Sequence, residues 1–250
     1  MAFMNKYNNF SNIIQTDDNF NVELEAYNIS LMDYTKDDIL RILAENNDEK
    51  KIVAIINLKS IDNKFEADLI LSHLTGQDGR IREAVSYILA ELNPSDFYLD
   101  VKSINTLLNG ILDINPNVVR NLISFIDKSP NLKEKLLKPI EIKTNEILSN
   151  LSKFIREDSP FFENISKSNK NHAKNKLTFN LYWLLETISI LDVNKIENLQ
   201  EILTKTSNFI DYTIREKTAK ILSKMEIKPP KLLRKLKNDE NIYVKNQLLC

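Results

Sequence analysis

D-G-R-I-R-E-A-V-S-Y-I-L-A-E-L, residues 78–92, decides the fold, because its spacing recurs along the chain. Asp78 can accept the free N–H groups of a helix first turn, and its charge suits the positive end of the helix dipole. Ile81, Ala84, Val85, Ile88, Leu89 and Leu92 then fall at the i, i+3, i+4, i+7 spacing of one apolar stripe. Arg80, Glu83, Tyr87 and Glu91 lie mostly on other faces. Arg82, four positions after Asp78, can pair with its own capping acid or with the acid of an adjacent unit. The segment predicts a capped amphipathic helix with one face in a core.

Outward from this stretch the pattern returns. Thr35 is placed to cap a helix through Ile39, Leu40, Ile42 and Leu43, and Asn46–Asp48 separates it from a second helix through Val53, Ile56 and Leu58. Phe65–Leu74 then leads through T-G-Q-D-G into the stretch at Asp78, 30 positions after Asp48. Past Asn93-Pro94, Val101–Leu112 and Asn115–Ile126 make a third pair. There Pro116, Val119 and Arg120 align with Asp78, Ile81 and Arg82, proline replacing the acid in a first turn where its missing N–H costs nothing. D-Y-T-I-R-E-K-T-A-K-I-L, residues 211–222, repeats the acid, the Ile214-Arg215 dipeptide and the trailing apolar pair. Asn241, Val244 and Lys245 take the same places 30 positions later, and Pro229-Pro230 opens the short helix between.

The middle, 131–191, is less regular. It predicts a long helix broken or kinked near Pro139, a polar connection over 157–171, and a helix from Ala173 to Leu191 striped by Leu177, Leu181, Leu184, Leu185 and Ile188. Residues 1–33 are polar and Asn-rich, an irregular leader in which Phe20, Val22, Leu24 and Ala26 alternate like a short extended arm.

Paired helices recurring at about 30 to 40 residues, with acid-x-x-aliphatic-Arg opening the second, resemble the HEAT-repeat family, and within it the short HEAT-like repeats of phycobilisome lyases. The residues that carry the likeness are Asp78, Ile81, Arg82, Ala84 and Val85; Pro116, Val119 and Arg120; Asp211, Ile214 and Arg215; Val244 and Lys245. It runs from about Tyr34 to the last residue. Lys51-Ile52, where Ile-Arg is expected, and the helix after Ala173 depart from it. The resemblance implies an all-α fold, a right-handed α–α superhelix of the HEAT/armadillo type with about five to six helix pairs, in one solenoid domain over 34–250. It further implies a ladder between successive units made from Asp78, Arg82, Arg120, Asp211, Arg215 and Lys245, and a concave face lined by the second helices. Such a fold carries no particular activity. A bilin lyase or lyase-like chaperone follows from the family name alone, and no residue here independently supports tetrapyrrole binding.

Composition agrees with a helical reading. The 250 residues are 42% hydrophobic and 28% charged, with three Gly and seven Pro, too few breakers for a sheet-rich fold. The single cysteine, Cys250, excludes an internal disulfide framework and a cysteine zinc cage, and fits a reducing, cytoplasmic setting. No apolar run approaches a bilayer span, and the first residues lack the apolar core of a secretory signal. The two histidines, His73 and His172, have no metal-ligand spacing, and no phosphate-cradling glycine loop or nucleophile elbow occurs. No catalytic residue, metal ligand or cofactor site is therefore expected. Trp183, with Phe179 and Tyr182 beside it, reads as core packing or as a stacking platform.

Charge is asymmetric: residues 1–125 hold 11 Lys+Arg against 19 Asp+Glu, net −8, and residues 126–250 hold 23 against 16, net +7. The function expected is a non-enzymatic scaffold that takes a protein or peptide along its concave face. An alternative is nucleic-acid binding through the basic C-terminal half, as in HEAT-like DNA glycosylases, with Lys174, Lys217, Lys220 and Lys224 as candidate contacts. Self-association through the C-terminal repeat is a further expectation, and a membrane partner is not.

Overall fold

Four of the second helices open on one local device. Asp78, Asn115, Asp211 and Asn241 each accept, through a side-chain oxygen, the backbone N–H two residues on, at 2.7, 2.9, 2.9 and 2.9 Å. The first helices of the first three pairs are capped one residue deeper. Thr35 accepts from Asp38 N at 3.2 Å within a capping box, Asn63 from Glu66 N at 3.0 Å and Asp100 from Ser103 N at 2.8 Å.

The computed structural model describes residues 34–45, 48–92, 100–155 and 167–249. The leader over 1–33, its expected arm at 20–26, and Cys250 lie outside the described residues. The twelve helices described are α1 (Lys36–Ala44), α2 (Asp48–Ile56), α3 (Lys64–His73), α4 (Gly79–Glu91), α5 (Val101–Ile111), α6 (Pro116–Asp127), α7 (Pro130–Ile155), α8 (Lys167–Ile188), α9 (Leu199–Thr206), α10 (Tyr212–Lys224), α11 (Pro230–Lys237) and α12 (Ile242–Asn246). No strand occurs among the described residues, so the class is all-α. None of these helices is long and apolar enough to cross a membrane.

Three sequence expectations change. The third unit is shifted by one residue: Asn115 is the cap and Pro116 the first helical residue, because a cap needs a side-chain acceptor that proline lacks. Asn115 thus matches Asp78, Val118 matches Ile81, and Val119, not Arg120, stands in the place of Arg82. Next, α7 continues through Pro139 without a break, held by an apolar stripe of Leu132, Leu136, Ile140, Ile147 and Leu151 that stays buried on both sides of the proline. Finally, α8 begins at Lys167, so 167–171 is helix, not loop.

Odd-numbered helices form one row, α1, α3, α5, α7 and α9 packing in succession, while α2–α4–α6 and α8–α10–α12 pack along a second. Each odd helix also packs on the even helix that follows it, which makes six pairs. Leu43, Ile55, Ile70, Leu89, Leu107, Leu122, Phe125, Leu136, Leu184, Ile202 and Leu222 are at most 1% exposed, each burial being worth roughly 2 kcal/mol. Close approach of α5 to its neighbours depends on Gly110. A Cβ there would lie 2.5 Å from Leu122 Cδ1 and 3.0 Å from Leu74 Cδ2.

Candidate functional site

Arg82 on α4 and Arg215 on α10 make the same set of bonds. Arg82 Nε donates to Asp113 Oδ2 at 2.5 Å, and its Nη1 donates to the carbonyls of Gly76 (2.8 Å) and Gln77 (2.9 Å). Arg215 Nε donates to Asp239 Oδ2 at 2.7 Å, and its Nη1 to the carbonyls of Phe209 (2.8 Å) and Ile210 (2.7 Å). Each guanidinium therefore closes its own inter-helix turn and grips an aspartate two residues before the next unit's cap. Each aspartate also accepts the N–H of that cap, Asn115 at 2.8 Å and Asn241 at 2.9 Å. The Arg215 hydrogen bonds hold the Asp239 carboxyl below the ordinary carboxylate range, and those of Asp239 raise the Arg215 guanidinium.

The capping acids are not part of these rungs. Asp78 pairs with Arg80, 2.8 Å from Nη2, and Asp211 bonds Thr213. Arg120 does not take the guanidinium place, since the residue shift puts buried Val119 there; its Nη1 donates to Asn117 Oδ1 at 3.2 Å. Lys245 stands in the right place on α12, with no following pair among the described residues to offer an aspartate. The acceptors Asp113 and Asp239 escape a search for capping acids, yet both stand in D-x-N, 113–115 and 239–241. That shared spacing was the available signal.

Three of the four candidate lysines are engaged inside the array. Lys217 Nζ and Lys220 Nζ lie 2.9 and 2.7 Å from the two oxygens of Glu186 on α8, and Lys224 Nζ donates to Ser189 O at 2.5 Å. Lys217 also lies 4.9 Å from the centre of the Tyr182 ring. Burial works against the charged forms, but the two ammonium groups outweigh it, leaving Glu186 lowered, and Glu186 likewise leaves Lys217 raised. Lys174 is exposed on the first half of α8, away from the other three in sequence.

These lysines border a cluster built on two turns of α8. Trp183, 6% exposed, takes the edges of Phe179 (5.9 Å between ring centres, 82°) and Tyr182 (5.0 Å, 84°), and the exposed Arg120 of α6 places its guanidinium 5.8 Å from the indole centre. Trp183 Nε1 and Asn180 Oδ1 are buried without a hydrogen-bond partner. Glu186 Oε2 is also outside directed hydrogen bonds but has the Lys217 ion pair. One unpaired donor and one unpaired acceptor, three residues apart, are thus left beside two cation–aromatic contacts. Buried polar atoms are normally satisfied. Sequence singled out Trp183, Phe179 and Tyr182 but missed Asn180 and Glu186, which carry no motif.

The cluster belongs to a polar seam along the second row. Glu83 accepts from Asn115 Nδ2 (2.8 Å) and Asn117 Nδ2 (2.9 Å), Asn121 donates to Ser86 (3.1 Å), and Gln247 donates to Glu216 (3.2 Å). Elsewhere, a shallow open depression of about 290 Å³ lies over the Arg215 rung, bordered by Ser207, Phe209, Lys235 and Glu240. Among the described residues no three His, Cys, Asp or Glu side chains converge as metal ligands would. His73 bonds Leu43 O at 3.0 Å through Nε2, and His172 is exposed.

No protein-family model matches the chain, and no curated protein matches it. The X-ray structure of Escherichia coli YibA, a Northeast Structural Genomics Consortium target, is similar over 94% of this chain and 75% of YibA, with 14% identity and a TM-score of 0.41. A likeness at that score carries no argument about fold or function.

Proposed function

We propose that the six helix pairs form a HEAT-like, right-handed α-solenoid that serves as a non-enzymatic scaffold, taking a protein or peptide segment along a concave face lined by the second helices. The observation that carries this reading is the pair of unpaired atoms on α8, Trp183 Nε1 and Asn180 Oδ1. A peptide group presents one acceptor and one donor, the complement of that pair. Arg120, exposed and stacked on the indole, is the side chain whose displacement would open the site, and Tyr182, steadied by Lys217, would flank the bound backbone. The seam of amides and carboxylates from Glu83 to Gln247 would extend the contact along the row.

Trp183 is the one tryptophan in the chain, so its emission reports the site directly. A random dodecapeptide library selected on the full chain is expected to return peptides that shift this emission on binding. The same peptides should bind Asn180→Leu at least tenfold more weakly, about 1.4 kcal/mol for one lost hydrogen bond. Selected peptides that leave the emission unchanged and bind Asn180→Leu as well as the parent would sink the reading.

A further inference from the structure

Beyond the exposed Lys174 and Lys176 of α8, a dense group of unengaged basic residues lies not on α10 but at α11. Residues 228–237, K-P-P-K-L-L-R-K-L-K, hold five cations and no carboxylate. Lys228, Lys231, Arg234 and Lys237 are exposed, and none has a carboxylate partner among the described residues. The fifth, Lys235, fixes the helix in place by donating to Asn208 and to Ser207 (3.3 Å) at the end of α9.

Many lysines of the other odd-numbered helices are instead paired with carboxylates. Lys36 pairs with Asp62 and Glu66, Lys64 with Asp100 at 2.6 Å, Lys133 with Asp127 at 2.5 Å, and Lys138 with Glu141 and Glu197 at 3.2 and 2.9 Å. The helix dipole accounts for part of the α11 stripe, since Arg234, Lys235 and Lys237 stand in its last turn. It does not account for Lys231, a cation in the first turn, or for Lys228 just before it, where the dipole is unfavourable to both. Three unpaired like charges on so short a helix, with Lys228 just before it, repel one another, so this face carries an excess of positive charge.

We propose that this face of α11 binds the phosphate backbone of duplex nucleic acid, independently of sequence. Three features of the surface select that partner. The cations Lys231, Arg234 and Lys237 stand on the exposed side of a helix whose apolar side chains are committed to the core, Leu232 and Leu236 at 6% and 0% exposed and Leu233 partly buried against it. No apolar face is therefore left to enter a lipid interface, and Ile227, 84% exposed before the helix, stands by itself. Residues 228–237 contain no aromatic side chain on which unpaired bases could stack, which disfavours single strands. Lys235 borders the shallow depression over the Arg215 rung, which is too open to bury the anchors of a peptide. What remains is recognition by charge density, greatest for a duplex. From Lys231 to Lys237 the helix rises about 9 Å, enough to meet two successive phosphates of one strand, with Lys228 extending the reach. This surface belongs to α11 and not to the α8 cluster, so Asn180→Leu should leave duplex binding unchanged.

The test is fluorescence anisotropy of a labelled 20-base-pair DNA duplex with the full chain between 50 and 200 mM salt. Four phosphate contacts predict a log–log salt slope of about −3.6, hence affinity falling more than a hundredfold over that range. The variant K228Q/K231Q/R234Q/K237Q should bind at least tenfold more weakly at 50 mM with a slope near zero, and K231Q or R234Q alone should each reduce the slope by about 0.9. K174Q/K176Q, which changes two exposed lysines on α8, should bind within twofold of the parent. Absence of duplex binding at 50 mM, or a slope unchanged in the α11 variants, overturns the proposal. So does equal or tighter binding to vesicles containing phosphatidylserine or to polyglutamate.

Discussion

Replacing Arg215 by alanine removes a buried rung and should loosen the last helix pair selectively. Arg215 is 7% exposed and its guanidinium makes five hydrogen bonds, two to Asp239, one to Glu240 and two to backbone carbonyls. Alanine leaves the Asp239 carboxylate, whose side chain is also 7% exposed, facing two carbonyls with no cation between. Breaking a buried pair from one side costs about 3–5 kcal/mol. The open depression beside the rung admits water, and Asp239 keeps the Asn241 N–H, so a value near about 3 kcal/mol is expected. Because Arg215 joins the fifth pair to the sixth, the loss should appear as easier opening of α11 and α12, not as uniform destabilisation. Hydrogen exchange over 230–249 should accelerate more than a hundredfold while α3 to α6 exchange at parent rates. The acid response gives an independent sign. Asp239 is held low in the folded state, so its contribution is present above the unfolded value of about 3.9 and is lost as pH falls through the folded value. In Arg215→Ala that acid-side loss should shrink. An exchange increase below fivefold, or one spread evenly over the chain, would refute the assignment of Arg215 as the tie between these pairs.

Gly110→Ala should destabilise by about 1 kcal/mol, and by no more than about 2 kcal/mol, in urea denaturation. Helix propensity favours alanine by about 1 kcal/mol, but the new Cβ meets Leu122 and Leu74, themselves 0% and 1% exposed, and overpacking costs about 1–3 kcal/mol. Asn180→Leu should raise stability by about 1 kcal/mol, because it removes a buried acceptor that has no donor; a loss of stability would mean that Oδ1 is satisfied after all. His73 should titrate below 6.5 by NMR, chiefly because burial opposes its charged form and secondarily because of Lys51. Its folded value being depressed, its contribution is complete above the unfolded value near 6.5 and declines as pH falls below that. A midpoint at or above 6.5 would contradict the burial of the ring, since the Leu43 O hydrogen bond favours the charged form.

Helices with periodic stripes and their own caps were legible in the sequence: α4, α6, α10 and α12 each announce themselves by Asx, stripe and spacing. Legibility failed where one residue type can serve two purposes. Proline at 116 is as acceptable in a first turn as an acid is before it, so an alignment on Pro116 runs one position late and gives Arg120 the rung position that Val119 occupies. Pro139 looked like a break because the sequence does not reveal that the surrounding leucines and isoleucines would be buried along one continuous face. The short α9 passed unseen. The charge excess of the second half was plain, but whether a given lysine is engaged depends on an acid on another helix. Lys217 and Lys220 each stand more than 30 positions from Glu186, a pairing that no local pattern encodes.

The junction between the third and fourth pairs joins these observations. At the two described rungs, an arginine, two carbonyls and an aspartate are consumed in holding one unit to the next, so their polar capacity is closed. At α6 that chemistry is missing: Val119 is buried where Arg82 and Arg215 reach out, and no arginine on α6 closes the turn before it. What bridges α6 to α8 instead is the Arg120 guanidinium over the Trp183 indole, a contact that can be exchanged for another planar or charged group at little cost. Trp183 Nε1 and Asn180 Oδ1 remain unpaired at the same junction, and the Lys217–Glu186–Lys220 bridge stiffens the neighbouring face of α8. A site for a partner requires polar groups that the fold has not already satisfied, held on elements that do not collapse to satisfy them. Both conditions are met where the repeated rung is interrupted, which is why the α6–α8 junction, and not the regular Arg82 or Arg215 rung, is where binding should be sought first.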